Sequence, residues 1–187
     1  AHVSGEVDIE DLIPEEESVF TLTHAGYIKR QPSDTYQAQR RGGRGITALS
    51  RKDEDFVEEL FLASTHDYIL FVTDMGRVYR LKGYQVYEGS RTSRGVNIVN
   101  LLPLQDGEQV TSMLRVPGGD NAEGYLTMVT KAGVIKRTAL ANYSNIRKNG
   151  LIAINLNEGD SLAWTRITSG EDELIVATRN GMAIRIS

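Results

Sequence analysis

The sequence contains no cysteine, which excludes disulfide bridges and thiolate metal sites and agrees with a reducing compartment. Histidine is nearly as scarce. His2, His24 and His66 are scattered, and no H-E-x-x-H, G-x-S-x-G or Walker A string accompanies them, so the commonest signatures of zinc peptidases, serine hydrolases and nucleoside triphosphatases are missing. No run of 18 apolar residues occurs, and the first residues are acidic, so neither a membrane span nor a signal peptide is expected. A cytoplasmic chain without a membrane partner fits these absences. The 187 residues are 40% hydrophobic, enough to bury a core, and their number predicts one domain.

Net positive charge is also lacking. A formal charge of −4 ordinarily argues against nucleic acid, because phosphate binding relies on Lys and Arg. The distribution along the chain reverses that expectation. Residues 1–23 carry seven acids and no Lys or Arg, whereas residues 24–52 carry seven Lys or Arg and the single acid Asp34. Residues 53–59 then hold five acids, and residues 124–150 hold five bases and no acid. Such segregation predicts separate acidic and basic surfaces, with solvated loop charge as the competing explanation.

What the sequence does have is a repeat. Thr23-His24-Ala25-Gly26-Tyr27-Ile28-Lys29-Arg30 returns as Thr73 to Arg80, Thr130 to Arg137 and Thr178 to Arg185, always as T-x-x-G-x-x-x-R. The glycines at 26, 76, 133 and 181 are 50, 57 and 48 residues apart. Apolar runs precede each copy (Val19 to Leu22, Tyr68 to Val72, Tyr125 to Val129, Leu174 to Ala177) and are too short for helices, so each copy predicts a β-hairpin with glycine at the turn. Further on, Arg44-Gly45-Ile46, Arg94-Gly95-Val96 and Asn149-Gly150-Leu151 end a loop and start a strand. Strands are expected from Val96 to Leu102 and Leu151 to Leu156, returning through Val110 to Val116 and Leu162 to Ile167 after acidic turns. No run has helical periodicity; at most, Asp53 to Leu60 forms a short helix.

Four strands per unit at this spacing predict an all-β, propeller-like architecture. The expected division is an acidic lead-in at 1–17, a first blade at 18–66, a second at 67–123, a third at 124–170 and the start of a fourth at 171–187. The last copy stops after its hairpin, so the domain is expected to continue. The lead-in is expected to compete with other anions for the basic surface.

The segment Gln39-Arg40-Arg41-Gly42-Gly43-Arg44-Gly45 stands apart from the rest. Its arginines offer bidentate, permanent positive charge, and its glycines let backbone amides approach the same phosphate oxygens, which predicts an anion-binding loop. A flexible arginine-glycine linker is the alternative; the position inside a repeat favours the loop. Weaker versions recur at Arg91 and Arg94, and at Arg147 and Lys148. Together with Lys29, Arg30, Arg77, Arg80, Lys82, Lys136 and Arg137 they form a candidate surface for double-stranded DNA. Tyr36, Tyr84, Tyr87 and Tyr143 are expected to pack beneath these loops rather than stack on bases, and Trp164 to lie in the core. The triplet Asp53-Glu54-Asp55 reads as a solvated loop in preference to a metal site. No cofactor-binding residue is identified: the match of Gly43-x-Gly45-x-x-Ala48 to a dinucleotide fingerprint lacks the surrounding βαβ unit.

The seven residues Gln39 to Gly45 resemble the Q-R-R-G-G-[K/R]-G box of DNA gyrase A subunits. The resemblance extends along the chain through Glu10-Asp11-Leu12-Ile13, Gly26 to Arg30, Val99-Asn100-Leu101-Leu102-Pro103-Leu104 and Ser169-Gly170-Glu171-Asp172-Glu173. It implies the N-terminal portion of the C-terminal domain of that family, a six-bladed β-pinwheel with strands exchanged between blades. Such domains wrap DNA around a basic rim so that ATP-driven strand passage introduces negative supercoils in the bacterial cytoplasm. The resemblance also implies that this chain is non-catalytic. The cleaving tyrosine lies elsewhere in the A subunit, and ATP and magnesium act on other parts of an assembly of two A and two B subunits. Three other readings stay open: the related domain of topoisomerase IV, which normally has a degraded box, a propeller-like protein-interaction module, and an enzyme using a metal at Asp53 to Asp55.

Overall fold

The computed structural model describes residues 9–42, 55–116, 122–169, 174–177 and 183–186. The chain divides into two compact units, Ala1–Tyr68 with Leu81–Leu101 and Ile69–Arg80 with Leu102–Ser187. Among the described residues, no helix is long and apolar enough to cross a membrane.

In the first unit, Glu17–Thr23 (β1) and Tyr27–Pro32 (β2) form the expected hairpin. Val57–Ser64 (β3) pairs with the outer side of β1, and Val96–Asn97 (β6) pairs with β2, so the sheet order is β3-β1-β2-β6. Five consecutive residues of β1, from Ser18 to Leu22, are buried. Such continuity marks a strand covered on both faces. Phe20 stacks on Phe61 with ring centroids 5.6 Å apart, and Val19, Ile28, Ala63, Val86 and Ile98 complete this core.

The second unit repeats the plan. Tyr68–Thr73 (β4) and Arg77–Lys82 (β5) form a hairpin flanked by Val110–Val116 (β7) and Leu151–Ile152 (β10), in the order β10-β5-β4-β7. A three-stranded sheet follows, with Leu162–Thr168 (β11), Tyr125–Thr130 (β8) and Ile135–Ala139 (β9) in the order β11-β8-β9, and then the hairpin of Leu174–Ala177 (β12) with Ala183–Ile186 (β13). The fold is therefore predominantly antiparallel β. Each four-stranded sheet is completed by a two-residue strand drawn from the following repeat.

Three local expectations are corrected. Ser33–Gly42 is an α-helix (α1) packed against β1 and β2, so Gln39 to Gly42 end a helix instead of opening a loop; Gly43, Arg44 and Gly45 lie outside the described residues. Pro32 closes β2, and Ser33-Asp34 begins the helix with an acid in its first turn, where it complements the helix dipole. Residues 57–60, expected in a short helix, are strand, because β3 is held in register against β1. The strands expected over 96–102 and 151–156 end after two residues; Asn97 Oδ1 accepts the Val99 amide at 3.2 Å and turns the chain into a 3-10 helix at Ile98–Asn100.

The repeated threonine has a structural use that its sequence context did not disclose. In all three fully described hairpins its carbonyl accepts the turn glycine's amide at 3.0 Å, with Gly26, Gly76 and Gly133 at φ of 91°, 77° and 90°. Its hydroxyl accepts the amide four residues on: Tyr27 to Thr23 at 3.1 Å, Arg77 to Thr73 at 3.3 Å, Val134 to Thr130 at 3.0 Å. The hydroxyl faces an acid that precedes the returning strand, namely Asp55, Glu108 or Asp160. Asp55 Oδ1 accepts the Ala25 and Phe56 amides at 2.8 and 3.0 Å, and Asp160 Oδ1 accepts those of Ala132 and Ser161 at 3.0 and 2.8 Å. Glu108 is the most enclosed, with a fully buried side chain that accepts Thr73 Oγ1 at 2.6 Å, Tyr79 OH at 2.8 Å and the Gln105 amide at 2.9 Å. Arg77 Nε lies 3.9 Å from it.

Burial by itself raises the Asp55 and Glu108 carboxyls, but the hydroxyls, amides and neighbouring arginines outweigh it and hold both below their ordinary values. Asp160 is lowered chiefly by the Thr130 hydroxyl. Carboxyls depressed in the folded state stabilise it above their unfolded values, and that contribution is lost as pH falls through the folded ones. Melting temperature should therefore hold steady near neutrality and drop once pH passes below the ordinary 4.5 of a glutamate. Glu108→Gln should unfold about 2–3 kcal/mol more easily at pH 7, since a buried charge-assisted network loses its anion, and its acid dependence should be shallower. Thermal unfolding of both proteins from pH 7 to 3 checks this; parallel curves would contradict it.

Candidate nucleic-acid interface

The basic loops are short turns set on the preceding hairpin. In the first unit the Ser93 amide donates to Ser90 O at 3.2 Å, and the Gly95 amide donates to Ser93 Oγ at 3.1 Å, folding Ser90 to Gly95 into a compact loop. In the second unit the Gly150 amide donates to Arg147 O at 2.9 Å. Each loop then enters its two-residue strand through a glycine with positive φ, 94° at Gly95 and 81° at Gly150. A Cβ on Gly95 would lie 2.4 Å from Ile28 O, and one on Gly150 would lie 2.8 Å from the Tyr79 ring, so no larger residue fits either junction.

The candidate cations fall into two groups. Lys29, Arg30, Arg77 and Lys82 are spent inside the protein. Lys29 Nζ donates to the carbonyls of Ser90, Arg91 and Ser93 at 3.0, 3.3 and 2.8 Å, and burial lowers its pKa. Arg30, with a side chain 11% exposed, donates from Nε to Val86 O at 2.9 Å, while its NH1 lies 3.8 Å from both Glu16 and Glu88. Arg77 donates to Asn149 O beside its ion pair with Glu108. Lys82 Nζ reaches Glu10 Oε1 and His66 O, each at 3.1 Å, and sits 4.0 Å from the centroid of the Tyr68 ring. Glu10 belongs to the acidic lead-in, so that segment does engage one of the candidate cations. Arg80 is half-buried and also engaged.

Arg91, Arg94, Lys136, Arg137, Arg147 and Lys148 are exposed. Two of them are oriented by aromatic rings: the Arg94 guanidinium lies 3.9 Å from the Tyr27 centroid with Asp55 at 4.0 Å, and that of Arg137 lies 4.4 Å from the Tyr125 centroid. A guanidinium stacked this way is held in place by the ring and loses less freedom on binding a phosphate. Tyr143 is buried and Tyr84 packs edge-on to His66 at 6.3 Å, while Tyr87 is exposed. Trp164, expected in the core, is half-buried, with the Arg166 guanidinium 5.7 Å from its ring. Of the acidic triplet, Asp53 and Glu54 lie outside the described residues, and Asp55 is occupied by the hairpin turn.

A family model described as DNA gyrase C-terminal domain, beta-propeller, matches residues 17–64, 67–117, 124–169 and 172–187. The DNA gyrase A subunit of Clostridium acetobutylicum is 53% identical over 183 residues, covering 98% of this chain and 22% of that protein. That of Staphylococcus epidermidis is 48% identical over 182 residues, covering 97% and 20%. The chain thus spans about a fifth of the length of these curated relatives. Among solved structures, the C-terminal domain of DNA topoisomerase IV superposes with a TM-score of 0.76 at 25% identity, covering 92% of this chain and 52% of that one. The DNA gyrase A C-terminal domain superposes with a TM-score of 0.63 at 24% identity, covering 91% and 54%.

The division of the cations is open to test by stability alone. Arg30→Met takes the charged donor from the Val86 carbonyl and the facing cation from the half-exposed Glu16 and Glu88, and should cost about 2 kcal/mol. Arg91→Ala, at an exposed site, should stay within about 0.5 kcal/mol of the parent. Urea unfolding of the two variants measures the difference, and equal costs would contradict the division.

Proposed function

Because the chain belongs to the DNA gyrase C-terminal domain, beta-propeller family, we propose that it binds double-stranded DNA with little sequence preference and bends it, as the wrapping domain of a gyrase A subunit. The observation that carries this reading is the recurrence of one device: a tight turn bearing two exposed cations, Arg91 and Arg94 or Arg147 and Lys148, seated on the preceding hairpin. Repeated phosphate contacts supply the free energy that offsets bending of the duplex, which costs several kcal/mol per sharply bent site. Contacts from these turns to the sugar-phosphate backbone fix position without reading base edges, which accounts for binding of low sequence preference.

In this role Arg40, Arg41 and Arg44 of the box join the six exposed candidates, Arg91, Arg94, Lys136, Arg137, Arg147 and Lys148, as phosphate ligands. The chain is non-catalytic and carries no cofactor of its own. The remainder of the A subunit supplies DNA cleavage, the B subunit supplies ATP hydrolysis with magnesium, and the assembly introduces negative supercoils in the bacterial cytoplasm. The topoisomerase IV reading is favoured by the superposition on that enzyme's domain, but the intact box and the 53% identity to a gyrase A subunit favour gyrase.

Equilibrium binding to a linear duplex between 50 and 200 mM salt is the test. Affinity should fall steeply with salt, and neutralising Arg40, Arg41 and Arg44 to Gln together should weaken binding and flatten the log–log slope by about 2–3, near 0.9 for each lost phosphate contact. A triple variant with unchanged affinity and slope would remove the box from the interface. Absence of binding by the parent chain at low salt would remove the function.

A further inference from the structure

Lys29 and Arg77 have the charge of DNA ligands but the surroundings of structural groups. Lys29 Nζ sits among three carbonyl oxygens of the loop that carries Arg91 and Arg94, some sixty residues further along the chain. Three acceptors match the three protons of an ammonium group, leaving none for a phosphate. Arg77 treats the next loop in the same way, donating to Asn149 O between Arg147–Lys148 and Gly150 while Glu108 fixes its other edge. Both cations lie on the second strand of a hairpin. Both loops run directly into the short strand that pairs with that hairpin, Val96 against Ile28 and Leu151 against Val78.

We propose that Lys29 and Arg77 are positioning residues: each holds the basic loop of the following repeat in the shape that presents its cations to DNA, and neither touches DNA itself. This deepens the DNA-binding reading and rests on it. Carbonyls drawn together in a tight turn repel one another, and a cation buried among them relieves that repulsion. The same cation lowers the conformational freedom that the displayed arginines would otherwise lose on binding, so affinity rises without an added phosphate contact. Loop order in one repeat therefore depends on a side chain of the repeat before it.

Three consequences separate this role from direct contact. Lys29→Met should weaken duplex binding about fivefold, the scale of ordering one or two side chains, with an unchanged salt slope. Arg91→Ala with Arg94→Ala should weaken binding and flatten the slope by about 2. In that double-variant background Lys29→Met should have no further effect. Lys29→Arg, which keeps a cation with several donors, should restore part of the lost affinity. Hydrogen exchange of the free protein gives a readout independent of DNA: the Ser93 and Gly95 amides should exchange faster in Lys29→Met, while the amides of β1 stay protected, which also confirms that the variant is folded. Lys29→Gln replaces Lys29→Met if the latter does not fold.

A full additive loss in the Arg91, Arg94 background with a flatter slope would make Lys29 a phosphate ligand and overturn the proposal. Unchanged loop exchange would overturn it on structural grounds. Faster loop exchange in a protein that binds no duplex would instead retain the positioning role and refute the DNA-binding reading.

Discussion

The close seating of Gly95 against the Ile28 carbonyl, repeated by Gly150 against Tyr79, is the constraint on which the rest of the structure depends. A strand of two residues has little stability of its own. Val96–Asn97 and Leu151–Ile152 stay paired because glycine permits the approach on one side, and because an isoleucine just beyond each is buried on the other. The Ile98 amide donates to Gly26 O at 2.8 Å, and the Ala153 and Ile154 amides donate to Gly76 O at 2.8 and 3.2 Å. The exchanged strand is thus fastened at the hairpin turn as well as along its length. A basic loop reaches its place only as the approach to that strand, so its geometry is inherited from the hairpin that receives it.

Buried polar groups set the remaining terms. The threonine hydroxyl and the acid before the returning strand close each of the three described turns. In the second unit, Glu108 also gathers Tyr79 and Arg77 into one network, and its negative charge raises the Tyr79 hydroxyl's pKa further above an ordinary tyrosine than burial does alone. A chain with a net charge of −4 can present basic loops because many of its carboxylates lie elsewhere. Glu108 is consumed in the interior, while Glu10, Glu16 and Glu88 face cations that are themselves structural. Net charge was therefore a poor guide to the surface, and counting cations along the sequence overstated the number that face solvent.

Much of the architecture was legible from local pattern. Short apolar runs ahead of T-x-x-G located the hairpins, since runs of four or five largely apolar residues with glycine behind them leave little alternative to a strand and turn. The helix at Ser33–Gly42 escaped because Ser-Asp-Thr-Tyr-Gln-Ala-Gln-Arg-Arg-Gly has no apolar stripe; only the Pro-Ser-Asp start and the basic end announce it. The long strand expected after Gly95 was wrong because Asn97 caps a 3-10 turn, a competition between side chain and backbone that hydrophobicity does not record. The double role of the cations was beyond reach of any local window. Lys29 and Ser93 are 64 residues apart, and only the exchange of strands brings them together.

A wrapping role requires that this chain bend DNA in a consistent sense, beyond binding it. The most direct measurement incubates the protein with nicked circular DNA, ligates the nick, removes the protein and resolves the topoisomers. Wrapping predicts a linking-number shift of a single sign that grows with the ratio of protein to DNA and disappears as salt is raised. A topoisomer distribution identical to that of protein-free circles, at low salt where binding is demonstrably saturated, would contradict it.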